Sequence, residues 1–218
     1  MRRPYPDGRP ASIRDFMAFE EHVRNARATR GLEVPPAWYE IPAFYFTNPG
    51  AVFGDGDEIP MPADTRQLDY ELELACVLGS DGRPEGFTIM NDFSARDLQA
   101  LEMQVGLGPA KGKDFATALG PVLVSADELP AGLDMRAIAR VNGELRTDSR
   151  TGEAHYSWQR LIEAAARNTP GLTAGEVIGS GTVGRGCILE HGDERWLQRG
   201  DEIELEIEGI GVLRNRIV

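Results

Sequence analysis

The chain has 218 residues, and its 41% apolar and 27% charged composition excludes a disordered tail, a coiled coil and a collagen-like repeat. No stretch approaches the ~20 consecutive apolar residues of a membrane span. The net charge of −12, from 35 acidic against 23 basic residues, argues against nucleic acid or an anionic membrane as partner.

The start, Met1-Arg2-Arg3-Pro4-Tyr5-Pro6, lacks the apolar core of a signal peptide. Residues 1–11 read as an N-terminal arm on a single domain spanning 1–218. The first helix is expected over 12–30: Ser12 caps it, Asp15 three residues on completes a capping box, and Phe16, Phe19, Val23 and Ala26 recur at helical spacing. His22 lies seven residues after Asp15 and so on the same helical face, two turns along. A lone helical histidine beside acids is more often a surface residue, but its pKa also suits a general base. Pro35-Pro36 ends the helix, and the chain turns extended through Phe44-Tyr45-Phe46.

From Leu68 the pattern alternates and then becomes wholly apolar at Leu74-Ala75-Cys76-Val77-Leu78, marking a strand that runs into the core. Glu71 and Glu73 are two apart, so both carboxylates leave one face of that strand. Such a pair either faces solvent or takes a hard divalent cation, Mg²⁺ first and Mn²⁺ or Ca²⁺ as alternatives. A second apolar strand, 87–90, ends at Asn91-Asp92. Ser94 is expected to cap the next helix, with Leu98, Leu101 and Val105 as its buried stripe, which frees Asp92 to be a third oxygen ligand. Arg96, Gln99 and Met103 share another face of that helix, pointing where an anion beside the cation would lie.

Lys113 follows glycines that suggest a phosphate loop, but the residue five before Gly112 is Leu107, and Asp114 stands where Ser or Thr is needed. Gly179-Ser180-Gly181-Thr182-Val183-Gly184 matches the dinucleotide pattern without a helix after it, so both nucleotide readings are rejected. Asn142-Gly143 predicts a hairpin. A third helix is expected over 157–168, and strands over 186–190, 202–208 and 212–218. On the second of these, Glu202, Glu204, Glu206 and Glu208 read as a solvated face with Arg214 and Arg216 as cross-strand partners. His155 and His191 fall in polar loops as bystanders. The two cysteines, Cys76 and Cys187, are too few for a disulfide scaffold and read as small core residues in a cytoplasmic protein.

Four segments in register, Leu68-Asp69-Tyr70-Glu71-Leu72-Glu73-Leu74-Ala75, Met90-Asn91-Asp92-Phe93-Ser94-Ala95-Arg96-Asp97-Leu98-Gln99, Gly112-Lys113-Asp114-Phe115-Ala116-Thr117 and Gly179-Ser180-Gly181-Thr182, resemble the fumarylacetoacetate hydrolase family. The resemblance implies an α+β, predominantly β fold, a mixed β-roll or barrel with about three helices, and a homodimer. It implies that Glu71, Glu73 and Asp92 hold the cation with Asp15 nearby. It further implies that Glu190 orients His22 as catalytic base, that Arg96, Gln99 and Lys113 stabilise an oxyanion, and that Tyr45, Thr182 and Arg30 bind substrate. Asn25 stands where acylpyruvases of the family carry a glutamate, so the chain leans to the fumarylacetoacetase branch. Met17 and Met103 replace substrate-contacting tyrosines.

The implied activity is cation-dependent hydrolysis of a carbon–carbon bond in a β-diketo acid, with a keto acid anion as small-molecule partner. The alternatives are decarboxylation, hydration or keto–enol isomerisation of a 2-keto acid on the same scaffold, and a non-catalytic cation-binding β protein.

Overall fold

The computed structural model describes residues 2–4 and 8–218. Residues 1 and 5–7 of the expected N-terminal arm lie outside them. In chain order the elements are β1 (Arg2–Pro4), β2 (Ile13–Phe16), α1 (Glu20–Ala28), α2 (Ala37–Glu40), β3 (Phe44–Thr47), β4 (Val52–Phe53), β5 (Glu58–Ile59), β6 (Leu68–Asp69), β7 (Leu72–Leu78), β8 (Pro84–Asp92), β9 (Ser94–Ala95), α3 (Arg96–Val105), β10 (Thr117–Val124), β11 (Arg136–Val141), β12 (Glu144–Arg150), α4 (Trp158–Ala166), β13 (Val177–Gly179), β14 (Glu202–Ile207) and β15 (Gly211–Ile217).

The fold is predominantly β, with helices at its margins. A curled mixed sheet runs β1-β10-β8-β7-β13-β2-β3, with β4 also on β10, and a second sheet runs β12-β11-β14-β15-β5. Every residue of β7 is buried, as its uninterrupted apolar run requires of a central strand. Alternate residues serve two cores. Leu72, Leu74, Cys76 and Leu78 join the large one, while Ala75 and Val77 join a smaller cluster with Ile13, Met90, Leu119 and Val177.

Continuing that smaller face two residues along each strand leads from Ile13 to Asp15, from Ala75 back to Glu73, from Met90 to Asp92 and from Val177 to Gly179. One face of the sheet thus changes from apolar to acidic at one end, and the site is built there.

On the second sheet Ile203, Leu205 and Ile207 point inward and the glutamates outward. Arg214 Nε pairs with Glu204 at 2.8 Å, and Arg216 stands opposite Glu202 in register. Asn142 and Gly143 take φ of 51° and 77°, the left-handed pair that the tight turn between β11 and β12 requires.

Five expectations need correction. Four α-helices are present among the described residues, because a single turn at α2 follows Pro35-Pro36. The first helix starts at Glu20, not Ser12: 13–16 is a strand between β13 and β3, whose ladder hydrogen bonds and burial of Ile13 and Phe16 outweigh a local capping signal. Asp15 and His22 therefore do not share a helical face. Ser94 is in a strand and donates to the Asp92 carbonyl, so Ala95 is the uncapped start of α3. On α3 the apolar stripe is outside, with Leu101 64% and Val105 80% exposed, because the helix turns Arg96 inward. The segment 186–190 is not a strand: a single bridge at Cys187 leads into a 3₁₀ turn, Ile188–Glu190. The helix over 157–168 forms as α4, with the Ser157 hydroxyl accepting from the Arg160 amide.

Candidate active site

Asp15, Glu71, Glu73 and Asp92 are buried, and one oxygen from each lies within 4.8 Å of the others. Asp15 comes from β2, Glu73 from β7, Asp92 from the end of β8, and Glu71 from the break between β6 and β7. Gly179 allows the approach: a Cβ there would stand 2.5 Å from Asp15 Oδ1 and 2.9 Å from Glu73 Oε2, and would overlap the Met90 methyl. Gly181 (φ +83°) continues the turn and donates its amide to Glu73 Oε2 at 3.0 Å, with the Thr182 hydroxyl 3.5 Å from Oε1.

Two cations reach the cluster. Lys113 pairs with Glu71 and, at 2.5 Å, with Asp92. Gly112 makes this possible, since any Cβ there would meet the Gln99 amide of α3 at 2.7 Å. Arg96 lies 2.6 Å from Glu71 Oε1 and 2.8 Å from Asp69 Oδ2, and also donates to Gln99 Oε1 at 3.1 Å. The Tyr45 hydroxyl donates to Asp92.

Burial pushes Asp15 well above the ordinary carboxylate range, with the Asp92 charge adding to it, and burial followed by Asp15 does the same to Glu73. Burial also raises Asp92, against the pull of Lys113. Glu71 goes the other way: burial opposes its ionisation, but Arg96 and Lys113 override it and hold the carboxyl low.

Asp15 Oδ1 and Asp92 Oδ1 are buried with no hydrogen-bond partner. Orphaned carboxylate oxygens beside two further acids are the donor set a hard divalent cation satisfies, so the residues fit one.

His22 stands over this cluster from α1. Its Nδ1 is 2.9 Å from Glu190 Oε2, and its Nε2 is 3.9 Å from Glu71 Oε1. Glu190 is held by Asn25 Nδ2 at 3.1 Å and by the Arg185 amide at 3.0 Å. Burial opposes its charge, but His22 and these donors keep its carboxyl below its ordinary value.

A cleft of about 410 Å³ opens over the cluster. Its wall includes His22, Arg30, Tyr45, Glu71, Glu73, Arg96, Gln99, Lys113, Thr182 and Asp15, together with Met17 and Met103. Asp92 lies beneath Tyr45, and Glu190 behind His22. The structure brings all twelve residues named from the sequence to one place, with Arg30 in the exposed turn that follows α1.

Four residues escaped the sequence. Asp69 accepts from Arg96 Nε at 2.8 Å and from the Ile188 and Leu189 amides at 2.7 and 3.1 Å, tying Arg96 to the turn that carries Glu190. Its signal was a second acid two residues before Glu71. Asn25 was noted only as the family's missing glutamate. Arg27 lines the cleft one turn before Arg30. Cys187 lies 3.4 Å from Glu190 Oε2, with burial and the charge of Asp69 pushing its thiol well above the usual value. An apolar stretch gave no hint of that neighbourhood. His191 and His155 stand apart, His155 among the rings of Trp38, Tyr39 and Tyr156.

Among known proteins, the chain is 35% identical over 192 residues to the oxaloacetate tautomerase YisK of Bacillus subtilis (strain 168), covering 82% of this chain and 62% of that one. It thus spans about three-fifths of that relative's length. A solved fumarylacetoacetate hydrolase (EaFAH) from Exiguobacterium antarcticum is 31% identical with a TM-score of 0.74, over 96% of this chain and 75% of that one. A fumarylpyruvate hydrolase from Pseudomonas aeruginosa, solved with Mn²⁺ and pyruvate, shares the fold at 21% identity, with a TM-score of 0.76 and 98% coverage of both chains. The sequence profile described as "Fumarylacetoacetate (FAA) hydrolase C-terminal" matches residues 11–218. With that match over nearly its whole length, the chain belongs to the fumarylacetoacetate hydrolase family.

Proposed function

We propose that the chain is a divalent-cation-dependent hydrolase that cleaves a carbon–carbon bond in a β-diketo acid. The observation that carries this reading is the His22–Glu190 pair, with His22 Nε2 facing the carboxylate cluster across the cleft. Glu71, Glu73 and Asp92, with Asp15 beside them, would hold the cation, Mg²⁺ by the all-oxygen chemistry of the site with Mn²⁺ or Ca²⁺ as substitutes. Bound there, the cation supplies Lewis acidity to the keto acid end of the substrate.

The protein's own groups supply the rest. Glu190 accepts a hydrogen bond from His22 Nδ1–H, leaving Nε2 free to take a proton from water. The hydroxide attacks the distal carbonyl, and the resulting oxyanion meets donors from Arg96, Lys113 and Gln99. The carbon–carbon bond then breaks, its electron pair leaving as an enolate on the keto acid half, and His22 returns the proton. Thr182 and Tyr45 shape the inner pocket, and Met17, Met103 and Arg30 its outer part.

A second reading has its own support in the 35% identity to a tautomerase. Moving a proton between carbon and oxygen needs a base and oxyanion donors but no attacking water, and His22 with Lys113 supplies both. One experiment separates the readings. Enolised acyl- and fumarylpyruvates, fumarylacetoacetate and oxaloacetate are followed by ultraviolet absorbance, with cation-stripped protein and again after Mg²⁺ or Mn²⁺. Cation-dependent absorbance loss with stoichiometric carboxylic acid and keto acid supports the hydrolase. Absorbance change without acid release supports tautomerisation. No change with any substrate, although Mg²⁺ still binds, overturns both and leaves a non-catalytic cation-binding protein.

A further inference from the structure

Around the dyad, beside the carboxylate cluster and bridged to it at Glu71–Cys187, three different donor atoms converge. His22 Nδ1 lies 2.9 Å from Glu190 Oε2, Cys187 Sγ lies 3.4 Å from the same oxygen, and one ligand atom from each of the three residues lies within 4.8 Å of the others. We propose that His22, Cys187 and Glu190 form a second cation site, selective for Zn²⁺, whose occupation withdraws His22 from its role as base.

The separations suit the ion. Zn–N near 2.0–2.1 Å and Zn–S near 2.3 Å in a tetrahedral shell put neighbouring ligand atoms about 3.3–3.6 Å apart. His22 Nδ1 and Cys187 Sγ stand within about 0.6 Å of that spacing from the shared Oε2. The donor set also differs in kind from the cluster next to it. Four carboxylates favour a hard cation, whereas imidazole, thiolate and one carboxylate oxygen favour a borderline-soft one. Two cations could therefore sort themselves by chemistry within one cleft.

The surroundings hold the carboxylate ready. Glu190 Oε1 is taken by Asn25 Nδ2 and the Arg185 amide, which fixes the group and leaves Oε2 as the shared acceptor. Of the three ligands only His22 lines the cleft, so an ion reaches the site past its ring.

The protons balance. The ion displaces the Cys187 thiol hydrogen, which leaves to solvent. His22 stays neutral, and its Nδ1 hydrogen moves to Nε2 as Nδ1 takes the metal. Nε2 is the atom that faces the cleft, and once protonated it cannot accept a proton from water. This consequence rests on the reading of His22 as base, but the site itself does not.

The test uses the full chain saturated with Mg²⁺, so that the carboxylate cluster is filled, and titrates Cd²⁺ as a spectroscopic stand-in and then Zn²⁺. The expected result is a cadmium–thiolate charge-transfer band that reaches its plateau at one equivalent, with one proton released per ion. Cys187→Ser abolishes the band, whereas Cys76→Ser keeps it. With Zn²⁺, X-ray absorption shows one sulfur in the first shell, and the ¹⁵N shifts of His22 change from the Nδ1–H to the Nε2–H tautomer. No band at one equivalent, or a band that survives Cys187→Ser, overturns the site. If Cys187→Ser does not fold, the sulfur count and the histidine tautomer in the unmodified protein decide the question. None of these readouts requires turnover, so failure of the hydrolase reading leaves them intact.

Discussion

Asp15 and Glu73 stand on strands that do not pair with each other: β13 runs between them, and Gly179 is the residue across which their carboxyls meet. The missing side chain there makes room for the cluster. Gly179→Ala would place a methyl 2.5 Å from Asp15 Oδ1 and 2.9 Å from Glu73 Oε2. Divalent cation affinity should fall by about 10–100-fold, the size seen when groups that orient ligands are disturbed. Mn²⁺ titration followed by electron paramagnetic resonance measures this, with circular dichroism to check the fold. Unchanged affinity in a folded variant would show that the two carboxyls do not act together.

The same burial sets a pH dependence. Asp15, Glu73 and Asp92 have folded values raised above the unfolded ~4. Raised groups stabilise fully below the unfolded value, and that contribution is lost as pH rises through the folded one. Glu71 and Glu190 are lowered, so their contribution is present above ~4.5 and is lost only on acidification. His191, also lowered, completes its change by about pH 7.5, one unit above its unfolded value. Above neutrality the raised carboxyls set the slope, joined toward pH 8.5 by the buried thiols of Cys76 and Cys187, whose raised values act with the same sign. The midpoint of thermal unfolding in chelator should fall between about pH 7 and 8.5, and the increment given by Mg²⁺ should grow over that range, because the ion replaces protons. A Mg²⁺ increment that shrinks with pH would count against the cluster as its site.

Much of this was legible in the sequence because β periodicity is local. The alternation around Glu71 and Glu73, the apolar run after them and Asp92 at the end of the next strand all place side chains by counting in twos. The failures share a cause in long-range pairing. Ser12 and Asp15 look like a helix start, and only pairing with β3 and with β13, the latter more than 160 residues later, makes 13–16 a strand. Asp15 and His22 share no helical face yet line one cleft, one from a strand and the other from a helix. Asn25 carries no local signal of its role, since it acts through Glu190, 165 residues away, and Asp69, though spaced like Glu71 and Glu73, shows its role only through Arg96.

Within the dyad the contributions should be graded. His22→Gln removes the base and should lower kcat by about 10²–10⁴-fold, and Glu190→Gln, which keeps the shape but not the charge, should fall in the same range. Asn25→Ala removes one of the donors to Glu190 Oε1 and leaves the Arg185 amide, so a smaller loss is expected, about tenfold. All three should keep the Mg²⁺-induced rise in unfolding temperature. Steady-state kinetics with any substrate found above gives the ranking. An Asn25→Ala loss equal to that of His22→Gln would mean that Asn25 acts directly on the substrate.

Lys113 offers the sharpest separation of roles. Its ammonium is buried, and although burial disfavours the charge, Asp92 and Glu71 hold its pKa above the ordinary lysine value. In the cation-free protein Lys113→Met removes the counter-charge of two buried carboxylates and should destabilise by about 3–5 kcal/mol. The same change takes a positive charge away from the cation's neighbourhood, so Mg²⁺ affinity should rise and recover part of the lost stability. Turnover should move in the opposite direction, falling about 10²–10³-fold, if the ammonium meets the developing oxyanion. Tighter Mg²⁺ binding with reduced kcat identifies Lys113 as an oxyanion partner. Tighter binding with unchanged kcat would reduce it to a counter-ion that only holds the empty cluster together.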